Sequence, residues 1–170
     1  VIMQSSELSD LRREFHRLPE PGWREFWTTS AIVDHLEAMG VDEVLYGREV
    51  HDEDERMALP DPDEMAEWRE RAADRGARED VLAAAADGFT GAIAVLERGE
   101  GPTVGLRVDI DGLPIPESDD PDHVPASEEF RSENEGYMHA CGHDAHITMG
   151  LGVIDDIQDS DFSGTLKVFF

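Results

Sequence analysis

Lysine and cysteine are almost missing from this chain: Lys167 is the only lysine and Cys141 the only cysteine. A lone cysteine excludes an internal disulfide framework, and a cytoplasmic location is the expectation for such a thiol. No run of about eighteen apolar residues occurs, so no ordinary membrane-spanning helix is expected. No basic, apolar, then small-residue leader pattern is visible either. The sequence has no G-x-S-x-G elbow, no G-x-x-x-x-G-K phosphate loop, no G-x-G-x-x-G and no H-E-x-x-H. Serine hydrolysis and nucleotide binding therefore gain no support.

What is abundant is acid. Asp and Glu total 40 against 14 Lys and Arg, a formal net charge of −26. Such a field repels nucleic acid and anionic membranes, so neither is an expected partner. The acids are interleaved with apolar residues along the whole chain, unlike a disordered acidic tail. Screening by concentrated salt would relieve the self-repulsion. The lysine-poor, carboxylate-rich composition resembles proteins of halophilic archaea. With 170 residues and 39% hydrophobic content, the chain can still bury one real core.

Apolar periodicity predicts a helix over 5–18, with Leu8, Leu11, Phe15 and Leu18 in one stripe, ended by Pro19, Pro21 and Gly22. A second helix is predicted over 28–39, started by Thr28 or Thr29 and stopped by Gly40. A short strand lies within 41–50, then an acidic loop, then a peripheral helix from Pro62 through 64–86, breakable at Gly76. Strands are predicted at 91–97 and across TVGLRVDID, the latter ending in two aspartates. The proline-rich stretch 114–135 reads as loop, 144–157 as helix, and TLKVFF as a closing strand in want of neighbours on both sides. The order implies an α/β domain with a mixed or parallel sheet flanked by helices.

The chemistry concentrates in HACGHDAH, His139 to His146. Cys141 and His143 are two apart, so in an extended segment both side chains leave one face. Thiolate and imidazole suit zinc and other late divalent ions. A buried structural thiol beside a helix-capping histidine fits the same pair, while the crowd of His139, Asp144 and His146 adds weight to a metal. Asp109 and Asp111 close an apolar strand, where open α/β sheets place their sites. A carboxylate there can bind metal or hold a metal-binding imidazole, and Asp111–Gly112 also reads as an ordinary turn. His16 and His35 read as helix-surface or boundary residues, His51 and His123 as solvated, and Trp23, Trp27 and Trp68 as packing residues.

LRREFHRLPEPGWREFWTTSAIVDHLEAMG, GLRVDIDGLPIPE, YMHACGHDAHITMGLG and GTLKVFF together resemble the metal-dependent amidohydrolases of metallopeptidase family 20, the aminoacylase and indoleacetyl-amino-acid hydrolase group. Within that group, GWREF, GREV…RMALP and the helix before GFTG are similar to the p-aminobenzoyl-glutamate-cleaving branch. The resemblance implies a zinc-peptidase-like catalytic domain that cleaves the amide of N-acyl or N-aroyl amino acids with two divalent ions, Zn, Mn or Co. It implies Cys141 and His143 as metal ligands, with the cysteine at the bridging position. Asp109 and Asp111 stand beside the site, Asp111 in a supporting role, and His139 and Asp144 belong to the motif and orient it. The complete family protein is expected as a homodimer or with a second hydrolase subunit. In the family a strand like GTLKVFF runs into Q-P-A-E-E, which carries the general-base glutamate. The expectation is therefore that 1–170 is the N-terminal half of a catalytic domain, without its dimerisation domain and inactive alone. A non-catalytic remnant or a split-gene subunit needing a partner chain is the alternative.

Overall fold

A computed structural model describes residues 3–170. The first helix, α1 (Ser5–Arg17), starts at a reciprocal cap between Gln4 and Glu7 and buries Leu11 and Phe15. The second, α2 (Phe26–Met39), buries Ile32, Val33 and Leu36 and stops at Gly40, whose φ of 67° suits a residue without Cβ. The expected threonine cap is replaced. Glu20 reaches across, and its side-chain oxygens accept the N–H groups of Trp27 and Thr28 at 3.0 and 2.8 Å, satisfying donors that the first turn leaves open. Thr29 instead donates to the Glu25 carbonyl and accepts from Gly91 N–H.

The first strand, β1 (Glu43–Tyr46), leads into a loop with two short 3₁₀ turns. The predicted long helix is two helices, α3 (Pro62–Asp74) and α4 (Glu79–Ala84), because Gly76 at φ 85° turns the chain between them. The pair is less peripheral than its composition suggests: Met65, Trp68 and Ala72 close on Phe26, Leu82 and Ala85 in a second apolar cluster. Next come β2 (Ala92–Arg98) and β3 (Thr103–Arg107). The one-turn α5 (Val124–Ser127), α6 (His143–Gln158) and β4 (Gly164–Phe169) complete the chain.

The sheet is mixed, in the order β1-β2-β4-β3. The β1–β2 and β2–β4 pairs are antiparallel and the β3–β4 pair is parallel. A parallel pair needs a crossover, and α6 supplies it. The closing strand therefore has neighbours on both sides, both drawn from earlier in the chain; β3 takes the edge, with Val104 exposed. Alternate residues Ala92, Ala94 and Leu96 of β2 and Leu166 and Val168 of β4 face the core, where they meet α1, α2 and α6. A Cβ on Gly150 would lie 2.9 Å from the Phe170 ring, so this mid-helix glycine makes room for the end of the sheet.

Candidate metal centre

The regular pairing of β3 stops at Arg107, four residues before the expected end of that strand, and the segment carrying Asp109 and Asp111 leaves the sheet. Gly112 holds that segment against the turn after α1: its N–H donates to the Glu20 carbonyl at 2.7 Å, and a Cβ there would lie 2.6 Å from Pro19. The crossover then returns α6 beside it. His143, the first residue of α6, donates from Nδ1 to both the carboxylate and the carbonyl of Asp111, at 2.8 and 2.9 Å. With its proton committed to Asp111, His143 presents the lone pair of Nε2. His146, one turn on, stacks on His143 with ring centroids 5.0 Å apart and planes 28° apart.

Among the described residues, one ligand atom each of Asp109, His143 and His146 lie within 4.8 Å of one another. Three ligands on one ion at about 2.1 Å lie about 3.4–3.6 Å apart, so the trio would close by up to roughly an ångström around an ion. Two imidazoles and a carboxylate suit zinc, manganese or cobalt, and the donor set fits a divalent ion. Asp109 also accepts from Arg107 at 2.7 Å, an exposed ion pair that a metal would outcompete.

Cys141 is exposed and lies outside this trio. The shared face expected of Cys141 and His143 requires an extended link, but Gly142 adopts φ 79° and ψ 25°. His146, noted in the sequence as part of a crowd and not as a ligand, stands in the cluster. An i, i+3 histidine pair at the start of a helix is the signal that marks it.

His139 is buried to 4% exposure with neither ring nitrogen in a hydrogen bond, the Asp111 backbone lying near but outside bonding geometry. Burial pushes its pKa down to about 4, against the pull of Asp144, so its ring is neutral near pH 7.

Behind the cluster lies a buried relay that sequence reading missed. His16, placed by periodicity at a helix boundary, is buried in α1. Its Nδ1 meets Asp144 at 2.8 Å and its Nε2 meets Glu117 at 2.8 Å. Arg12 joins Asp144 at 3.0 Å, while Glu117 also takes the Ser132 N–H and His123 at 2.6 and 2.9 Å. His123 is thus bonded, contrary to the solvated expectation. Burial opposes charge on His16, but its two carboxylate partners outweigh it and hold the imidazole above its ordinary value. Burial likewise pushes Asp144 and Glu117 up. The His16 bond to Asp144, and the Ser132 N–H and His123 bonds to Glu117, win and hold both below the carboxylate range. The relay fixes the first turn of α6, and so His143, against α1 and the 114–135 loop.

A cleft of about 400 Å³ opens on the other side of Asp109 and Asp111, walled by Trp23, Glu25, His51 and Thr90. Full burial pushes Glu25 up to about 7, against the hydrogen bond from Thr90, and Glu20 up to about 8, against the Thr28 and Trp27 donors. His51, expected in solvent, lines this cleft and bonds to Thr90.

Residues 105–170 match the model of peptidase family M20/M25/M40. The chain is 42% identical to indole-3-acetyl-aspartic acid hydrolase of Enterobacter agglomerans over 96% of its own length and 38% of that protein's. It overlays the aminobenzoyl-glutamate utilization protein from Klebsiella pneumoniae with a TM-score of 0.74 and 31% identity, covering 97% of this chain and 36% of that one. The Bacillus subtilis YXEP protein, a dinuclear metal binding peptidase from the M20 family, overlays with a TM-score of 0.62 and 26% identity, over 97% and 34% of the two chains. The chain thus spans under two fifths of the length of the proteins it matches.

Proposed function

We propose that this chain forms the N-terminal catalytic portion of a metal-dependent amidohydrolase of peptidase family M20, cleaving N-acyl or N-aroyl amino acids of the p-aminobenzoyl-glutamate kind. The observation that carries the reading is the convergence of Asp109, His143 and His146 beside the Asp111–His143 bond. The match to the family model, the indole-3-acetyl-aspartic acid hydrolase and the aminobenzoyl-glutamate utilization protein all support it.

In this reading His143 and Cys141 hold metal, Asp109 and His146 lie close enough to His143 to share an ion with it, and the likeness to a dinuclear peptidase supports two ions. The chemistry a divalent ion would supply there is a lowered pKa for a bound water and polarisation of the scissile carbonyl. Asp111 keeps the proton on His143 Nδ1 so that Nε2 stays a donor of electrons. Asp144, held by His16 and Arg12, anchors the turn that presents the histidines. His139, neutral and adjacent, completes the motif.

The whole enzyme requires residues beyond this set, since a positioned general base is needed for the water. The proposed whole protein is a homodimer or pairs with a second hydrolase subunit. It works in the cytoplasm of a salt-loving organism, a setting that fits the net charge of −26. Among the described residues no helix is long and apolar enough to cross a membrane.

The test is metal content after purification, together with p-aminobenzoyl-glutamate hydrolysis in Mn²⁺, Zn²⁺ or Co²⁺ by the reading frame extended to its full hydrolase. Bound divalent metal and hydrolysis, both lost in His143→Ala, are expected. Full activity in Cys141→Ala would remove the thiol from the ligand set and leave the Asp109–His143–His146 trio to carry it.

A further inference from the structure

Trp23 is the bulkiest of the four described non-glycine residues with positive φ, beside Ala58, Asp87 and Glu129. It holds φ 65°, a left-handed conformation that glycine adopts freely and that a bulky side chain rarely takes. Two contacts hold it there. Its indole N–H donates to the Met57 carbonyl at 3.0 Å, and Gly88 comes so close from behind that a Cβ there would lie 3.0 Å from the Trp23 carbonyl. Strain of this kind persists where the surroundings over-determine it, and it gathers at binding sites.

The strained residue sets one wall of the cleft that ends at Asp109 and Asp111. His51 forms the rest of that wall, edge-on to the indole at 5.5 Å and 60°. Its ring is fixed too, because Nε2 donates to the Thr90 carbonyl at 2.5 Å, while the Thr90 hydroxyl donates to Glu25 at 2.6 Å. The result is a preorganised aromatic surface beside the candidate metal ligands. Aromatic rings prefer to meet other rings edge-to-face or offset, which favours a planar ring over an aliphatic group of equal size.

Charge decides which half of an acyl-amino acid this surface receives. The cleft carries Asp109 and Asp111, and its one guanidinium, Arg107, is already paired with Asp109. The amino-acid half brings a carboxylate that these acids repel, and the acyl half is neutral. The indole is only part-buried and lines the cleft.

We propose that the Trp23–His51 wall seats a planar aromatic acyl group of the amide substrate and sets the preference for aroyl or arylacetyl over aliphatic acyl chains. This rests on the amidohydrolase reading above.

The probes are benzamide and cyclohexanecarboxamide, two neutral amides of matched size, titrated by NMR into the metal-free chain in molar KCl with chelator. The expected result is roughly threefold to tenfold tighter binding of benzamide. That preference disappears in Trp23→Leu and survives in Trp23→Phe. Equal affinities in the unaltered chain, or a preference that persists in folded Trp23→Leu, would overturn the proposal. Should Trp23→Leu fail to fold by circular dichroism, His51→Leu is read by the same two criteria. Because the probes need neither metal nor hydrolysis, the two readings fail separately. A ring preference without hydrolysis sinks the hydrolase reading, and hydrolysis with no ring preference sinks the aromatic seat.

Discussion

Replacing His16 by Phe tests whether the buried relay holds the metal motif in place. Phenylalanine keeps the ring volume and the edge contact with Phe130 at 5.4 Å, and it removes only the two nitrogens. Asp144 and Glu117, both almost fully buried, each lose one bond of 2.8 Å. Removing one partner of a buried ion pair costs about 3–5 kcal/mol. Here both carboxylates keep other partners, Ala145 N–H and Arg12 for Asp144, Ser132 N–H and His123 for Glu117. The lower end, about 3 kcal/mol, is therefore expected. That is a large share of a typical stability of about 5–15 kcal/mol.

The loss should depend on pH. His16 is raised above 6.5, so its contribution is complete below that value and fades as pH rises through the raised one. Asp144 and Glu117 are lowered from 3.8 and 4.5, so theirs is complete above those values and fades as pH falls through the lowered ones. The gap between the original chain and His16→Phe should be widest between about pH 4.5 and 6.5. Urea melts at pH 5.5 and 8.5, in molar KCl with chelator, measure it. A gap below 1 kcal/mol at pH 5.5, or one equal at both pH values, would refute the reasoning.

Three further outcomes are expected. Raising KCl from 0.1 to 2 M should raise the thermal midpoint, since screening relieves a net charge of −26; a midpoint that does not move refutes the high-salt reading. Asp111→Ala should weaken divalent-ion binding about tenfold in chelator competition, the low end for such a partner, because the Asp111 carbonyl still accepts from His143; unchanged affinity would show that the carboxylate orients nothing. Glu25, neutral in its buried seat until about pH 7, lends stability below 4.5 that is lost as pH rises through that higher value. Glu25→Gln should remove about 2 kcal/mol of the decline between pH 5 and 9, and melts that decline equally in both chains would contradict this.

Most helices were legible because their signals are local. Leu11 and Phe15 mark the buried stripe of α1, and Gly40 and Gly76 mark stops that the backbone obeys with positive φ. Strand partners were not, since pairing is decided by residues far apart: TLKVFF showed its need for two neighbours, but nothing in it said that β2 and β3 would provide them. The site divides in the same way. The motif pointed to Asp111 beside His143, and the two are hydrogen-bonded. His16 was misplaced because helical periodicity cannot see a carboxylate 128 positions away, and no local pattern distinguishes it from His35. The separation of Cys141 from His146 turns on the backbone of Gly142, and glycine spacing alone does not reveal whether φ is positive.

The sequence distances in the relay carry a kinetic consequence. His16 meets Glu117 across 101 residues and Asp144 across 128, and β3 reaches β4 only after the crossover through α6. Loops of that length must close before their contacts repay the lost chain entropy, so the topology is one of slow folding. The helices can flicker early, but the histidine cluster has no meaning until both ends of the chain have met. Metal capture is therefore expected as a late event, following sheet closure, and an ion added at the start of refolding should leave the main rate unchanged.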